Sequence, residues 1–337
     1  MQNITQREVC INATPQPMRL LPPSIVAMEP HMEEVVFDSS FFRIYKNGNV
    51  HRLYRPPIVA AGVDDATGVV SKDVVLDTGT GLFVRVYLPK GQEPGKKLPL
   101  LVYFHGGGFI IESADSATYH NYLNAVAAVA GVLVVSVNYR LAPENPLPAG
   151  YEDSWAALLW AVSRKDDWLA EHGDTARVFV AGDSAGGNIV HNMLLRASSS
   201  DGPTIEGAIL LHPFFGGSTA IDGESEEAVH ITSKVWTCAC PGAANGVDDP
   251  RMNPTAPGAP ALESVGCARL LVCAAQEDWL AARGRAYYAA VAASAWRGSA
   301  AWHETEGEGH VFFLRAPGNC DKARQLMDRV VAFISGA

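Results

Sequence analysis

An α/β protein with a mostly parallel central sheet is the fold class this sequence predicts, and three observations predict it. Segments rich in Val, Leu and Ile alternate with segments of helical composition from Leu98 onward. Several of the apolar runs are continuous, as in strands buried on both faces. Of 337 residues, 48% are hydrophobic and 18% charged, a globular composition with material for a sizeable core. Strands alternating with helices imply a sheet covered on both faces, with its ligand site outside the carboxyl ends of the strands. Chemistry is therefore sought in the loop after each strand.

The elements follow in order. Residues 1 to about 60 lack a regular pattern and contain Pro22-Pro23 and Pro56-Pro57. Phe37, Phe41, Phe42, Ile44 and Tyr45 mark a short ordered piece there that docks on a larger body. Residues 74–76 read as a strand, and 82–88 as an alternating strand stopped by Pro89. Buried strands are expected at 98–104, 132–137, 177–181, 205–211, 269–274 and 301–305. Helices are expected at 118–130, 151–162, 186–197, 283–293 and 321–334. Residues 213–262 break the rhythm with Gly216-Gly217, Pro241-Gly242, Pro250, Pro254, Pro257 and Pro260, and read as an insertion over the sheet. The stretch 201–260 is acidic, with eight carboxylates against two basic residues.

The formal net charge of −10 and the lack of a basic block argue against a nucleic-acid partner. The longest apolar stretch, 125–135, is too short for a membrane span and is broken by Gly131. Met1 to Glu8 lacks the basic start and apolar core of a secretory signal, so a cytoplasmic protein is expected and the sequons at Asn3 and Asn12 are chance matches. Cys10, Cys238, Cys240, Cys267, Cys273 and Cys320 form no Cys-x-x-Cys pair and have no His at zinc spacing, so neither a metal nor a disulfide scaffold is expected.

Gly182-Asp183-Ser184-Ala185-Gly186 is a G-x-S-x-G motif between an expected strand and an expected helix. A sharp strand-to-helix turn lifts the serine hydroxyl off the sheet and needs small flanking residues. His105-Gly106-Gly107-Gly108-Phe109 follows another strand. Its glycines let the backbone approach a substrate closely. The N–H groups of Gly106, Gly107 and Gly108, with that of Ala185, are candidate donors to a negative oxygen. No Walker lysine accompanies the loop, which argues against phosphate. A serine needs a histidine base, and the histidine needs an acid to orient it. His310, in the glycine-rich loop 306–310, fits better than His191, His212, His230 or His303. His212 ends a strand but precedes any plausible acid loop. The acid is expected in Gln276-Glu277-Asp278, with Asp278 chosen and Glu277 the alternative. Asp183 is expected to brace the turn, Asn188 to cap the following helix, and Arg140 and Glu144 to hold the loop at 139–144. Phe109, Ile110, Phe214 and Phe215 are expected to line an apolar pocket beside the serine.

His105 to Phe109, Tyr139-Arg140-Leu141-Ala142-Pro143-Glu144 and Gly182 to Asn188 resemble the hormone-sensitive-lipase-like branch of the α/β-hydrolases. Ile44 to Gly48, Asp249 to Pro254 and Glu308 to Leu314 narrow the resemblance to the plant carboxylesterases, a group that includes the gibberellin receptor and 2-hydroxyisoflavanone dehydratase. The resemblance spans about residues 35–335. It implies an eight-stranded core (61–337) and a lid formed by the N-terminal segment (1–60) and the insertion after the sixth strand (213–262). It also implies Ser184 as nucleophile, Asp278 as acid, His310 as base, and Gly107, Gly108 and Ala185 as the main oxyanion donors. No cofactor is implied. The expected partner is a small or medium ester. Elimination or intramolecular acyl transfer on a plant metabolite is the alternative, and a receptor with a silent pocket comes last because His310 is present.

Overall fold

The computed structural model describes residues 34–336 apart from 92, 94, 200 and 316–319. Asn3, Asn12, Cys10 and Pro22-Pro23, with the first half of the expected N-terminal segment, lie outside the described residues.

The ordered piece near the N-terminus is a three-stranded antiparallel sheet of β1 (Val35–Asp38), β2 (Phe42–Tyr45) and β3 (Val50–Arg52). The chain then runs β4 (Val70–Asp77), β5 (Leu82–Leu88), β6 (Leu98–Phe104), α1 (Ala117–Ala130), β7 (Leu133–Asn138), α2 (Ala149–Val162), α3 (Asp167–His172), β8 (Gly173–Asp183) and α4 (Ala185–Ala197). It continues through β9 (Gly207–Leu211), α5 (Glu226–Ala239), β10 (Arg269–Ala275), α6 (Ala281–Ala293), β11 (Ser299–Thr305) and α7 (Asp321–Ser335). The eight strands from β4 form one sheet in the order β11-β10-β9-β8-β6-β7-β5-β4. Its pairs are parallel except β4–β5 and β5–β7.

The α/β reading holds, and the reason is visible in β6. Leu100, Val102 and Phe104 enter the core under α2, α4 and α6, while Leu101 and Tyr103 enter the core under α1 and α7. Both faces are buried, so the strand has no polar alternation. Each fully buried Val or Leu contributes about 1.5–3 kcal/mol, enough to make the register of such a strand unambiguous.

Four differences have local causes. β4 starts at Val70, not 74; it is an edge strand with alternating exposure, so its apolar signal is diluted. β8 starts at Gly173, because Gly173 and Asp174 pair with Leu98 and Pro99 ahead of a register shift. The region read as insertion contains the 14-residue helix α5. Its start is capped by Ser225, whose Oγ accepts from the N–H of Ala228 at 3.1 Å, with Glu226 and Glu227 in the first turn. The surrounding glycines and prolines hid this signal. α3 was also unforeseen; Asp166 caps it by accepting from the N–H groups of Trp168 and Leu169.

Candidate active site

Ser184 sits between β8 and α4 with φ 51° and ψ −117°, a conformation few non-glycine residues adopt. The surroundings over-determine it. Its N–H donates to the Leu211 carbonyl at 2.9 Å, and its carbonyl accepts from the N–H groups of Phe214 at 2.9 Å and Asn188 at 3.1 Å. The flanking glycines are sterically required. A Cβ on Gly186 would lie 1.9 Å from the Phe104 carbonyl oxygen, and one on Gly182 would lie 2.4 Å from the backbone of Gly186.

The post-β11 loop carries His310 to this hydroxyl. His310 Nε2 is 2.9 Å from Ser184 Oγ, and its Nδ1 is 2.8 Å from Asp278 Oδ2. Asp278 follows β10, is 5% exposed, and accepts the Leu280 N–H through Oδ1 at 2.9 Å. Glu277 is exposed. Burial pushes the Asp278 carboxyl up, but hydrogen bonds from two histidines outweigh it and hold the group well below the usual carboxylate range. Asp278 is therefore a buried anion.

The second histidine is His212, which order along the chain had set aside. Its Nδ1 lies 3.0 Å from the same Oδ2 of Asp278, and its side chain is fully buried. Strand order could have found it: His212 directly follows β9, the sheet neighbour of β10, so the two loops adjoin. His191 instead meets the Tyr287 hydroxyl in the core at 3.0 Å, His230 is exposed on α5, and His303 lies within β11. His212, Asp278 and His310 bring metal-ligand atom types within 4.8 Å of one another. The Nδ1 of each histidine is at hydrogen-bond distance from one Asp278 oxygen, so hydrogen bonding already accounts for the cluster.

The glycine loop packs beside the serine. Gly107 and Gly108 have φ 97° and 64°, and a Cβ on Gly107 would meet the Ile111 carbonyl oxygen at 2.3 Å. Among the described residues their N–H groups have no protein acceptor. Ala185 opens α4, where first-turn N–H groups lack helical partners. Gly106 corrects the expectation. Its N–H donates to the Tyr119 hydroxyl at 2.7 Å and Asp183 Oδ1 at 3.1 Å, so it is not available to a substrate oxygen. Asp183 also accepts from the hydroxyls of Tyr103 and Tyr119. It ties the glycine loop to the serine turn as well as bracing the turn. Burial raises its carboxyl to about 6 against these donors.

A cavity of about 890 Å³ opens over Ser184 and His310. Ile110 and Phe214 line it as expected; Phe109 and Phe215 do not. Phe109 is 1% exposed and turns edge-on to Tyr151, Phe214 and Trp236 in the core, while Phe215 packs on Tyr287 with ring centroids 4.8 Å apart. Successive side chains diverge, so Phe214 and Phe215 cannot share one wall. The remaining walls come from Phe37, Phe41, Phe42 and Tyr54 near the N-terminus, Trp279 beside Asp278, and Ile231, Val235 and Cys238 of α5. The spacing 231, 235, 238 is helical, a signal present in the sequence. Asn188 does not cap its helix. Its Nδ2 donates to the carbonyls of Phe214 and Arg251, binding α4 to the segment above it. Arg140 pairs with Asp153 and Glu144 with Arg52, so each ties the loop at 139–144 to a neighbouring segment.

Comparison with known proteins places this arrangement. A family model described as alpha/beta hydrolase fold matches residues 101–314. The chain is 45% identical over 323 residues to the amyloplastic tuliposide A-converting enzyme b1 of Tulipa gesneriana, covering 94% of this chain and 83% of that protein. It is 42% identical over 314 residues to probable carboxylesterase 13 of Arabidopsis thaliana, covering 87% and 95%. Among solved structures, a thermostable carboxylesterase cloned from a metagenomic library aligns with TM-score 0.67 at 25% identity, covering 82% of this chain and 90% of that one. An esterase from Pyrobaculum calidifontis aligns at 0.64 and 26%, covering 79% and 85%. The cytoplasmic expectation is overturned: tulip relatives at 45% identity are amyloplastic or chloroplastic. No helix among the described residues is long and apolar enough to cross a membrane. The chain belongs to the α/β-hydrolase fold family and is a carboxylic ester hydrolase of the plant carboxylesterase group.

Proposed function

We propose that this enzyme hydrolyses small to medium carboxylic esters through an acyl-enzyme on Ser184. The observation that carries this is the continuous relay Ser184 Oγ, His310 Nε2, His310 Nδ1, Asp278 Oδ2, with links of 2.9 and 2.8 Å. His310 removes the serine proton as Oγ attacks the ester carbonyl. The N–H groups of Gly107, Gly108 and Ala185 receive the oxyanion, each donor contributing on the order of 2.7–4 kcal/mol. The imidazolium then protonates the leaving alcohol, and water repeats the sequence on the acyl group. Asp278 holds the Nδ1–H tautomer and stabilises the imidazolium. Residues 34–60 and the insertion 213–262 act as the lid of the apolar cavity. The purified protein is expected to hydrolyse a short p-nitrophenyl ester, and Ser184→Ala to lower kcat by a factor on the order of 10⁴ or more. Near-normal turnover by that variant would reject the reading.

One observation supports a second reading. The tulip relatives are named for converting tuliposide A. Acyl transfer within the substrate, or elimination, would use the same base and oxyanion donors. An acyl burst with substrate supports the covalent route, and its absence with retained turnover supports elimination.

A further inference from the structure

His212 is a buried histidine that the relay above leaves without a task. Its backbone φ is +50°, and Ser184 and Val311 beside it share the left-handed region at 51° and 46°. Three non-glycine residues in sparsely populated conformations around one carboxylate mark a place where geometry is held against its own preference. The His212 N–H donates to the Cys273 carbonyl at 2.8 Å, which anchors the residue to β10, the strand that delivers Asp278.

Which ring nitrogen carries the proton follows from the neighbours. Nδ1 is 3.0 Å from Asp278 Oδ2, and the Val311 N–H is directed at it at 3.2 Å. It cannot donate to the first and accept from the second at once. If the proton sat on Nε2, two lone pairs would face each other across 3.0 Å. Nε2 has no hydrogen-bond partner, so a buried donor would also be orphaned. With the proton on Nδ1, the bond runs to an ionised acceptor, and such charge-assisted bonds are about twice as strong as neutral ones. Each form leaves one donor unpaired, Nε2–H in one and the Val311 N–H in the other, so the charge-assisted bond to Asp278 decides and the Nδ1–H form prevails. The rings facing His212 are His310, Phe312 and Phe313, and His303 acts on it from a distance. Burial among them disfavours a charged ring.

Resting on the acyl-enzyme reading, we infer that His212 is a positioning residue for the hydrolysis, a neutral second donor that fixes Asp278 Oδ2 toward His310. Asp278 then accepts from His310 and His212 at Oδ2 and from the Leu280 N–H at Oδ1. Its carboxylate is pinned at both oxygens and cannot rotate away when His310 charges. The division of labour between the histidines follows from access. His310 is 21% exposed at its side chain and touches Ser184, whereas His212 is fully enclosed and touches no reacting atom. The other ring facing His310 is that of Trp279, and the buried Asp183 carboxyl acts on it from a distance.

The test uses the full chain and a short p-nitrophenyl ester. His212→Phe is expected to lower kcat roughly tenfold or more with KM within about twofold. It is also expected to move the acid limb of kcat/KM to higher pH, since a carboxylate with one donor fewer holds a proton on His310 more strongly. His212→Asn, whose amide can place an N–H near the Nδ1 position, is expected to recover most of kcat and return the limb. A His212→Phe variant with wild-type kcat and an unmoved limb overturns the proposal while leaving Ser184 dependence intact. Full loss in Ser184→Ala shows that the underlying reading stands. Should His212→Phe fail to fold, nitrogen-15 histidine NMR of Ser184→Ala decides. A neutral ring protonated on Nδ1 supports the role, and a proton on Nε2 overturns it.

Discussion

At the scale of single residues, the site is governed by two buried carboxylates with opposite tendencies. Asp278 is held low by its two histidines despite burial, and Asp183 is raised to about 6 by burial despite its tyrosines. The linkage signs differ accordingly. Asp278 has a depressed folded pKa, so its contribution is present above the ordinary value near 3.8 and is lost as pH falls below it. Asp183 has a raised folded pKa, so its contribution is present below about 3.8 and is lost as pH rises toward about 6. Asp183 is expected to add a downward slope to urea-unfolding stability over that interval, against the upward slope from the buried neutral His105 and His191. Asp183→Asn, though less stable overall, should lose that slope; an unchanged slope would refute the assignment. Asp278→Asn should lower kcat on the order of 10⁴-fold with little change in KM, because His310 would lose the acceptor that selects its tautomer. Steady-state kinetics decides this, and a loss confined to KM would contradict it.

At the scale of elements, the strand–turn–helix unit β8, Ser184, α4 shows what a short motif encodes and what it leaves to packing. Small residues at 182 and 186 are needed because the Phe104 backbone passes directly over them. Gly186→Ala is expected to cost at least about 3 kcal/mol, read as the shift in denaturant midpoint, because the clash is with backbone that cannot rotate away. A variant within about 0.5 kcal/mol of the native protein would show that the turn can relax. The helix α5 carries the opposite lesson. Trp236, buried with its indole N–H donating to the Gly246 carbonyl, anchors the helix, and Ile231 and Val235 line the cavity. Residues 228, 231, 232, 235, 236 and 239 lie at helical spacing on one side of α5, a stripe that the surrounding glycines and prolines obscured. Val235→Trp is expected to shift preference toward shorter acyl esters, measured as the ratio of kcat/KM for acetate and octanoate esters. No change in that ratio would remove α5 from the pocket wall.

At the scale of the whole molecule, one side chain joins the small sheet to the large one. Arg52 of β3 donates to the carbonyls of Ile110 and Ala142 and pairs with Glu144, linking the N-terminal sheet to the glycine loop and to the loop after β7. Its side chain is 13% exposed, so the contact is only lightly screened by solvent. Arg52→Ala is expected to cost about 1–3 kcal/mol through carbonyls left without their donor, and to raise KM for bulky esters more than for acetate. Equal effects on both esters would confine Arg52 to stability.

The parts of this protein that sequence determined are those fixed by local sterics and by burial on both sides. They include the order of strands and helices, the small-residue turn around Ser184, and the glycine loop after β6. Backbone strain and two-sided burial restrict residue types within a few positions, so they leave marks that can be read along the chain. Tertiary structure alone decided that His212 meets the far side of Asp278, that the Gly106 N–H is already occupied, and which phenylalanines face the cavity. Those outcomes depend on strands far apart in the chain lying side by side. A hydrogen bond between neighbouring loops is set by distance in space, and sequence separation carries almost no record of it.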